Sequence, residues 1–299
     1  MEEAIEGKRA EPGMGSPAGS GFVHPQGCGC AECSQSGELA MGFVPTYVFA
    51  LGQIEARFTS LGLEKEFVQA TAREDTSGKT DAQALHTVLR KPENRYLARS
   101  MCWVFSVEGL ETYILRPRDP GDLDQLVAAL RDTPRTTDVD VIIGLRGQLA
   151  PPEACNGLQV PIVGFDHIYS FDIDSLIKAI PRPEKVPVDQ FASAAAELFH
   201  RIMQLADNAG ATDGHRALNY LAIRYPAIYA LAADAFGRSS SLTGVDVRPS
   251  RLSGARRVVD VILTFTHRTT GVDEKHFTRV DVTEEFPFLV SKLTSYYDR

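Results

Sequence analysis

The 299-residue sequence contains no run that approaches the ~20 consecutive apolar residues needed to cross a membrane. Its first six residues include three glutamates and lack the basic start and apolar core of a signal peptide. Basic residues are not in excess either, because 31 Lys and Arg residues face 39 Asp and Glu residues, for a formal net charge of -8. Nucleic-acid binding and adsorption to anionic lipid both need a basic excess. We therefore expect a cytoplasmic protein with neither nucleic acid nor membrane as a partner.

Motifs of catalysis and phosphate binding are also missing from the sequence. There is no Gly-x-Ser-x-Gly elbow, no histidine pair with zincin spacing and no glycine-rich loop after a predicted strand. One small acid/base cluster is conceivable, since His267 and His276 flank a predicted turn and Glu284 and Glu285 follow. The competing interpretation of these residues is a polar sheet edge, and we predict no catalytic residue.

Cysteine is scarce but unevenly placed, with three of five cysteines between Cys28 and Cys33. In a reducing cytoplasm, clustered cysteines bind metal more often than they form disulfides. Cys30 and Cys33 are spaced to direct two thiolates toward one ion, as half of a tetrahedral zinc site requires. We predict that Cys102 and Cys155 complete a closed, structural Zn²⁺ site, with Cys28 as an alternative ligand.

A second interpretation of the cysteines stays open. Cys102 is adjacent to Trp103 on a predicted strand, where a free cysteine commonly serves as a small buried apolar residue. The three cysteines near the N-terminus would then be a metal-scavenging or oxidation-prone tail.

Four arginines concentrate positive charge on one predicted hairpin of this acidic protein: Arg248, Arg251, Arg256 and Arg257. Such a cluster can bind a carboxylate-bearing or acidic peptide through bidentate contacts or strand addition. The competing interpretation is ion pairing across the sheet with Asp246, Asp260, Asp281 and Glu284.

Composition and periodicity predict three regions. Residues 1–27 are rich in Gly, Pro, Ser and Glu and should form a disordered arm. Residues 28–185 should form a zinc-binding α+β subdomain, and residues 186–299 a subdomain of helices and antiparallel sheet. Three prolines within residues 181–187 cannot continue a helix, so they mark the boundary.

The predicted fold class is α+β, with a mixed sheet and flanking helices in the N-terminal part. Helices followed by a three-stranded antiparallel sheet make up the C-terminal part. The predicted N-terminal elements are strands at 46–52, 101–107, 111–116, 140–144 and 159–165 and helices at 64–73, 82–89, 92–99, 122–131 and 173–179. The predicted C-terminal elements are helices at 189–206 and 216–236, strands at 245–252, 257–267 and 275–283, and a terminal helix at 286–297.

Several stretches resemble the C-terminal domain of unknown function of the cyanobactin maturation proteins PatG and PatA. They include residues 46–55, 94–99, 108–115, 138–141, 151–153, 155–158 and 280–289, so the resemblance extends from about residue 28 to the C-terminus. It implies an accessory domain in the synthesis of ribosomally made, modified peptides, with a bound zinc and no established catalysis. It also implies that Cys30, Cys33, Cys102 and Cys155 match the family's cysteines. PatG's subtilisin-like protease is a separate upstream domain, and its motifs are absent here.

Three functions follow as hypotheses. The first is a non-catalytic module that binds a precursor peptide, or its leader, and presents it to modifying enzymes. The second is a peptide-modifying enzyme with an acid/base site near His267, His276 and Glu284, or with a zinc held by three protein ligands. The third is an assembly element that forms a homodimer through its helical part.

Overall fold

The computed structural model describes residues 46–74, 76, 78–184, 186–204 and 208–297. The predicted arm and the cysteines at positions 28, 30 and 33 lie outside these residues. By its contacts, Val44–Arg299 forms one compact unit. The predicted division between residues 185 and 186 stays a prediction. No helix in the described ranges is long and apolar enough to span a bilayer.

The first sheet is a closed, mixed sheet of five strands. They are β1 (Tyr47–Arg57), β2 (Cys102–Val107), β3 (Leu110–Pro117), β4 (Asp138–Leu149) and β5 (Pro161–Asp172). Their order is β1-β2-β3-β5-β4, and β4 pairs with β1 to close the ring. Only β3 and β5 run parallel among these pairs. The mixed sheet expected from the sequence is confirmed, and we call it the closed sheet.

Five short helices flank the closed sheet, as expected. They are α1 (Leu61–Thr71), α2 (Asp81–Leu89), α3 (Arg95–Ser100), α4 (Leu123–Ala129) and α5 (Ile173–Ala179). The start of α2 is fixed by a capping box, in which the Thr80 hydroxyl accepts from the Gln83 N–H and the Gln83 side chain accepts from the Thr80 N–H.

Three more helices follow: α6 (Val188–Met203), α7 (Asp213–Arg224) and α8 (Ala227–Gly237). The prediction of one continuous helix over 216–236 is wrong. Pro226 has no N–H to donate to the preceding turn and therefore ends the first helix and begins the second. The Thr212 hydroxyl caps α7 by accepting from the His215 N–H at 3.1 Å.

The second sheet has four antiparallel strands, so the prediction of three strands is wrong. They are β6 (Ser240–Pro249), β7 (Val258–His267), β8 (Asp273–Asp281) and β9 (Phe288–Ser295), in that order. The predicted terminal helix is strand β9, whose exposure alternates with the period of two expected for an edge strand.

One apolar core joins the two sheets through the helices. Phe49 and Val141 of the closed sheet, Leu221 of α7, and Val261 and Phe265 of the second sheet belong to a single buried cluster. The α+β class is thus confirmed, and helices α6, α7 and α8 contribute side chains to the same core as both sheets.

A buried polar junction lies within this core. The side chain of Asn219 donates to the Phe49 carbonyl at 2.8 Å and accepts from the Asn208 amide at 2.8 Å. The Phe49 N–H donates to the carbonyl of Gly210 at 2.9 Å, and the Tyr113 hydroxyl donates to that of Ala209 at 2.8 Å. Strand β1 is therefore hydrogen-bonded to the connection between α6 and α7.

Candidate functional site

The structure brings Cys102 and Cys155 together. Cys102 is the first residue of β2 and Cys155 lies in the loop between β4 and β5. The two form a disulfide with a Cα–Cα distance of 5.6 Å, across a sequence separation of 53 residues. Both are buried, with 2% and 3% exposure. The pair is therefore two adjacent sulfurs in a site that excludes water.

Local backbone geometry positions Cys155 in its loop. The Asn156 side chain donates to the Phe58 carbonyl at 2.7 Å and attaches the loop to the end of β1. Asn156 and Gly157 have φ values of 50° and 88°, a left-handed pair that reverses the chain. Val104, Ile114 and Ala150 surround the two sulfurs with apolar groups.

Only after reduction of this disulfide would Cys102 and Cys155 supply two thiolates, which is half of a four-cysteine zinc centre. Within the described part of the chain, no group of three or more His, Cys, Asp or Glu residues could hold a metal ion. The other predicted ligands, Cys30 and Cys33, and the alternative Cys28 fall outside the described residues. The zinc site therefore stays a prediction.

The predicted arginine hairpin borders a cleft of about 680 Å³ between the start of α7 and strands β6 and β7. Its apolar lining consists of Leu218, Val245, Val247, Val258 and Val259. Arg248, Arg256 and Arg257 line the same cleft, so three of the four predicted arginines meet there. We call it the α7 cleft. It combines apolar surface with cations at the rim.

The predicted ion pairing across the sheet is found for one of the predicted carboxylates, Asp281. Arg256 is ion-paired with the buried Asp281 carboxylate and lies 5.4 Å from the Phe288 ring centroid. Arg257 donates to Asp213 at 3.2 Å and to the Thr283 carbonyl at 2.9 Å. These contacts orient the two guanidinium groups at the rim, so the two interpretations of the arginines are compatible.

The conceivable acid/base cluster is not assembled. Val258 pairs with Asp281 and Thr266 with Asp273, so His267 and Glu284 lie beyond opposite ends of the β7–β8 ladder, roughly 25 Å apart. His267 Nδ1 accepts from the N–H groups of Thr269 and Thr270 at 3.3 and 3.2 Å and thereby fixes a turn. Burial lowers the pKa of His276, which packs against Phe265.

Sequence reasoning missed a carboxyl pair between the two sheets. Asp166 of β5 and Glu285, which follows β8, lie close enough for each to shift the pKa of the other. Burial and the Asp166 carboxyl raise the pKa of Glu285 to about 7. Burial opposes ionisation of Asp166, but interactions with Glu285 and Arg118 outweigh it and lower the Asp166 pKa. Arg118 is 2.6 Å from Asp166 and 3.6 Å from Glu285. Neither carboxyl lines the α7 cleft.

Arg216 lies beside this pair and was also missed. It is 1% exposed and donates to the Val282 carbonyl at 2.7 Å, to the Glu285 carbonyl at 3.1 Å and to the Glu284 carbonyl. Burial and the nearby Arg257 lower its pKa to about 10. A single helix residue thus fixes the segment that follows β8.

The carboxyl pair predicts a pH dependence of stability. The folded-state pKa of Glu285 lies above its ordinary value of 4.5, so folding favours the protonated form. The free energy of unfolding should therefore fall as pH rises from about 5 to 8, by about 1 kcal/mol given the partial solvent screening. Glu285→Gln should remove this dependence and raise stability at pH 8, as measured by denaturant unfolding at several pH values.

The control for this experiment is Glu284→Gln, which changes the exposed neighbour. It should retain the wild-type pH dependence, because Asp166, Arg118 and Arg216 face Glu285 as before. If the free energy of unfolding of Glu285→Gln kept the wild-type pH dependence, the assignment of that dependence to Glu285 would be wrong.

Comparisons with known proteins agree on the fold. A family model described as PatG C-terminal matches residues 185–296. A solved structure, the PatG domain of unknown function, matches with a TM-score of 0.68 and 23% identity, over 84% of this chain and 98% of its own. At that identity the structural likeness shows the fold alone. A comparison with curated proteins gives no match. Residues 185–296 are therefore similar to the PatG C-terminal family model, and the chain shares the fold of the PatG domain of unknown function.

Proposed function

We propose that this protein is a non-catalytic peptide-binding module in the synthesis of ribosomally made, modified peptides of the cyanobactin type. The observation that carries the proposal is the α7 cleft, with its apolar lining and its three arginines. Its partner would be a precursor peptide, or its leader, which the module presents to modifying enzymes. The family match over residues 185–296 supports this context, because those residues include every residue that lines the cleft.

The chemistry of the cleft suits a peptide segment. A volume of about 680 Å³ accommodates several side chains, and the apolar residues come from both α7 and the second sheet. Asp281 holds Arg256 and Asp213 holds Arg257, so binding would need little further ordering of these two side chains. An apolar peptide segment flanked by carboxylates fits these groups.

Obstructing the α7 cleft tests the proposal. Gly254 lines it, and a Cβ atom at this position would meet nothing within 4 Å, so Gly254→Trp should fold normally. We expect the variant to bind the precursor peptide encoded beside the gene at least about tenfold more weakly, a loss of about 1.4 kcal/mol, in fluorescence anisotropy. Leu110→Trp is the matched control, because Leu110 is 73% exposed and belongs to the closed sheet.

A mass-spectrometric assay of the same peptide separates binding from catalysis. The proposal expects a complex and no change in peptide mass. A mass change would favour the peptide-modifying enzyme, and the absence of any complex would refute the module for this peptide. A homodimer held by the helical part stays a third prediction.

We further propose a structural Zn²⁺ bound by Cys102 and Cys155 with two thiolates from Cys30 and Cys33, or from Cys28. The adjacency of the first two sulfurs supports it. When bound, zinc would tie the region before β1 to the start of β2. It would supply no catalysis, because four cysteines leave no open position.

Metal content and stability test the zinc proposal. Protein purified under reducing conditions should contain one zinc per chain, and Cys102→Ser should abolish it and lower the free energy of unfolding by about 2–5 kcal/mol. Cys30→Ser with Cys33→Ser should have the same effect. If the arm cysteines are dispensable and thiol titration finds Cys102 and Cys155 oxidised, the pair is a disulfide and the zinc proposal fails.

A further inference from the structure

A second cleft of about 720 Å³ lies on the face of the second sheet that points away from the core. Val259, Val261 and Val280 belong to the buried core cluster, so their strand neighbours Asp260 and Arg279 point to the opposite face. Asp260 and Arg279 line this cleft, and we call it the outer cleft. Neither the family context nor the proposed peptide site assigns a role to this face.

The outer cleft is cationic although the protein is acidic overall. Three arginines and one carboxylate line it: Arg248, Arg251, Arg279 and Asp260. Asp260 already accepts from Arg279 Nε at 3.0 Å. The Arg251 side chain is exposed and makes no hydrogen bond or ion pair with the residues the structure describes. At least one guanidinium group is therefore available to an incoming anion.

Aromatic rings hold two of these arginines in place. The Arg248 guanidinium lies 5.0 Å from the Tyr296 ring centroid, and that of Arg279 lies 4.9 Å from the Phe277 centroid. The Phe277 and Tyr296 rings in turn meet edge to face, with centroids 5.5 Å apart. Arg248 donates to the Tyr296 hydroxyl and Arg279 to Asp260, but a guanidinium has five N–H groups, so each keeps further donors for a planar acceptor such as a carboxylate.

The two clefts adjoin at the edge of the sheet, where they share lining residues. Arg248 and Pro249 line both of them. They lie at the end of β6, which is an edge strand with no neighbour beyond it in the second sheet. Pro249 has no N–H to offer a further strand, so a ligand there would cross the edge and would not extend the sheet.

We infer that the outer cleft binds the carboxylates of an acidic segment in the same peptide whose apolar segment occupies the α7 cleft. The inference rests on the proposed function and specifies its ligand: an apolar stretch joined directly to a stretch of Asp or Glu. Arg248 lies at the point where the two stretches meet.

Synthetic peptides test the inference. The probe is a fluorescein-labelled peptide of four alternating leucines and valines followed by four glutamates. A second probe carries the four glutamates before the apolar residues. One comparison peptide replaces the glutamates with glutamines, and the other replaces the apolar residues with serines. We expect the glutamate peptide to bind about tenfold more tightly than the glutamine peptide at low salt, and the difference to shrink in ~0.5 M NaCl.

A point variant assigns the effect to the outer cleft. Arg251→Gln should reduce the affinity for the glutamate peptide by about three- to fivefold and leave the glutamine peptide unaffected. The control is Arg73→Gln, because Arg73 is exposed, follows α1 and lines neither cleft. Equal binding of the glutamate and glutamine peptides would overturn the inference and leave the α7 cleft proposal intact.

Two further outcomes are also decisive. If the serine–glutamate peptide binds as tightly as the full probe, the acidic site acts alone and the two-part ligand is wrong. If none of the peptides binds, both the inference and the peptide-binding function of the α7 cleft fail for ligands of this chemistry.

Discussion

Replacing Arg216 with leucine should lower the free energy of unfolding by about 3–5 kcal/mol. The substitution leaves the carbonyls of Val282, Glu284 and Glu285 without their buried donor. It also removes the guanidinium that packs 5.2 Å from the Tyr47 ring centroid, so β1 loses a contact as well. Denaturant unfolding of the full chain would measure the effect.

Arg224→Leu is the matched control on the same helix. Arg224 is exposed and its described contact is with the Tyr169 ring, 5.1 Å away. This variant should stay within about 1 kcal/mol of the wild type. If both variants lost the same free energy of unfolding, leucine itself would destabilise helix α7. The hydrogen bonds from Arg216 to the buried carbonyls would then not explain the loss.

Gly210→Ala should cost about 3 kcal/mol or more, because two penalties combine at this position. Gly210 has a φ of 71°, and a Cβ atom there would approach the Phe49 carbonyl oxygen to 2.4 Å and the Ala50 Cα to 2.6 Å. The left-handed backbone alone costs an alanine about 1–2 kcal/mol, and the collision with β1 adds to it. Thermal or denaturant unfolding would give the total.

Gly109→Ala isolates the backbone penalty. Gly109 has a φ of 78°, but nothing lies within 4 Å of a Cβ atom built there. It should therefore show only the backbone cost of about 1–2 kcal/mol. If Gly210→Ala were no worse than this control, the close approach of the α6–α7 connection to β1 would be relaxed in solution.

Local patterns in the sequence predicted most elements correctly. A near-continuous apolar run predicts a buried strand such as β4. The capping residue before a helix predicts where it begins, as at α2. The errors occurred where local signals conflict. Pro226 follows a helical pattern and precedes another, and either a kink or a break was compatible with the sequence. The edge strand β9 buries little surface, so its period of two was obscured by exposed Phe288 and Val290.

The candidate site was predictable only where its residues cluster in the sequence. The arginines at 248–257 were found because they share one hairpin. Cys102 and Cys155 were paired on their residue type, across 53 positions. Arg216 carries no such signal, and Glu285 was grouped with His267 and His276 because the sequence does not reveal its neighbour Asp166. Their partners lie many residues away in the chain, and each reads in isolation as an ordinary exposed charge.

The position of Phe49 has a consequence for the order in which the chain can fold. Its amide and carbonyl are bonded to Gly210 and Asn219, about 160–170 residues later. During synthesis at roughly 5–20 residues per second, strand β1 would wait on the order of ten seconds or more for these partners. Throughout that interval the edge of β1 is incompletely paired. We expect nascent chains that stop before α7 to be prone to aggregation, and a chaperone that shields β1 to raise the yield of the native protein.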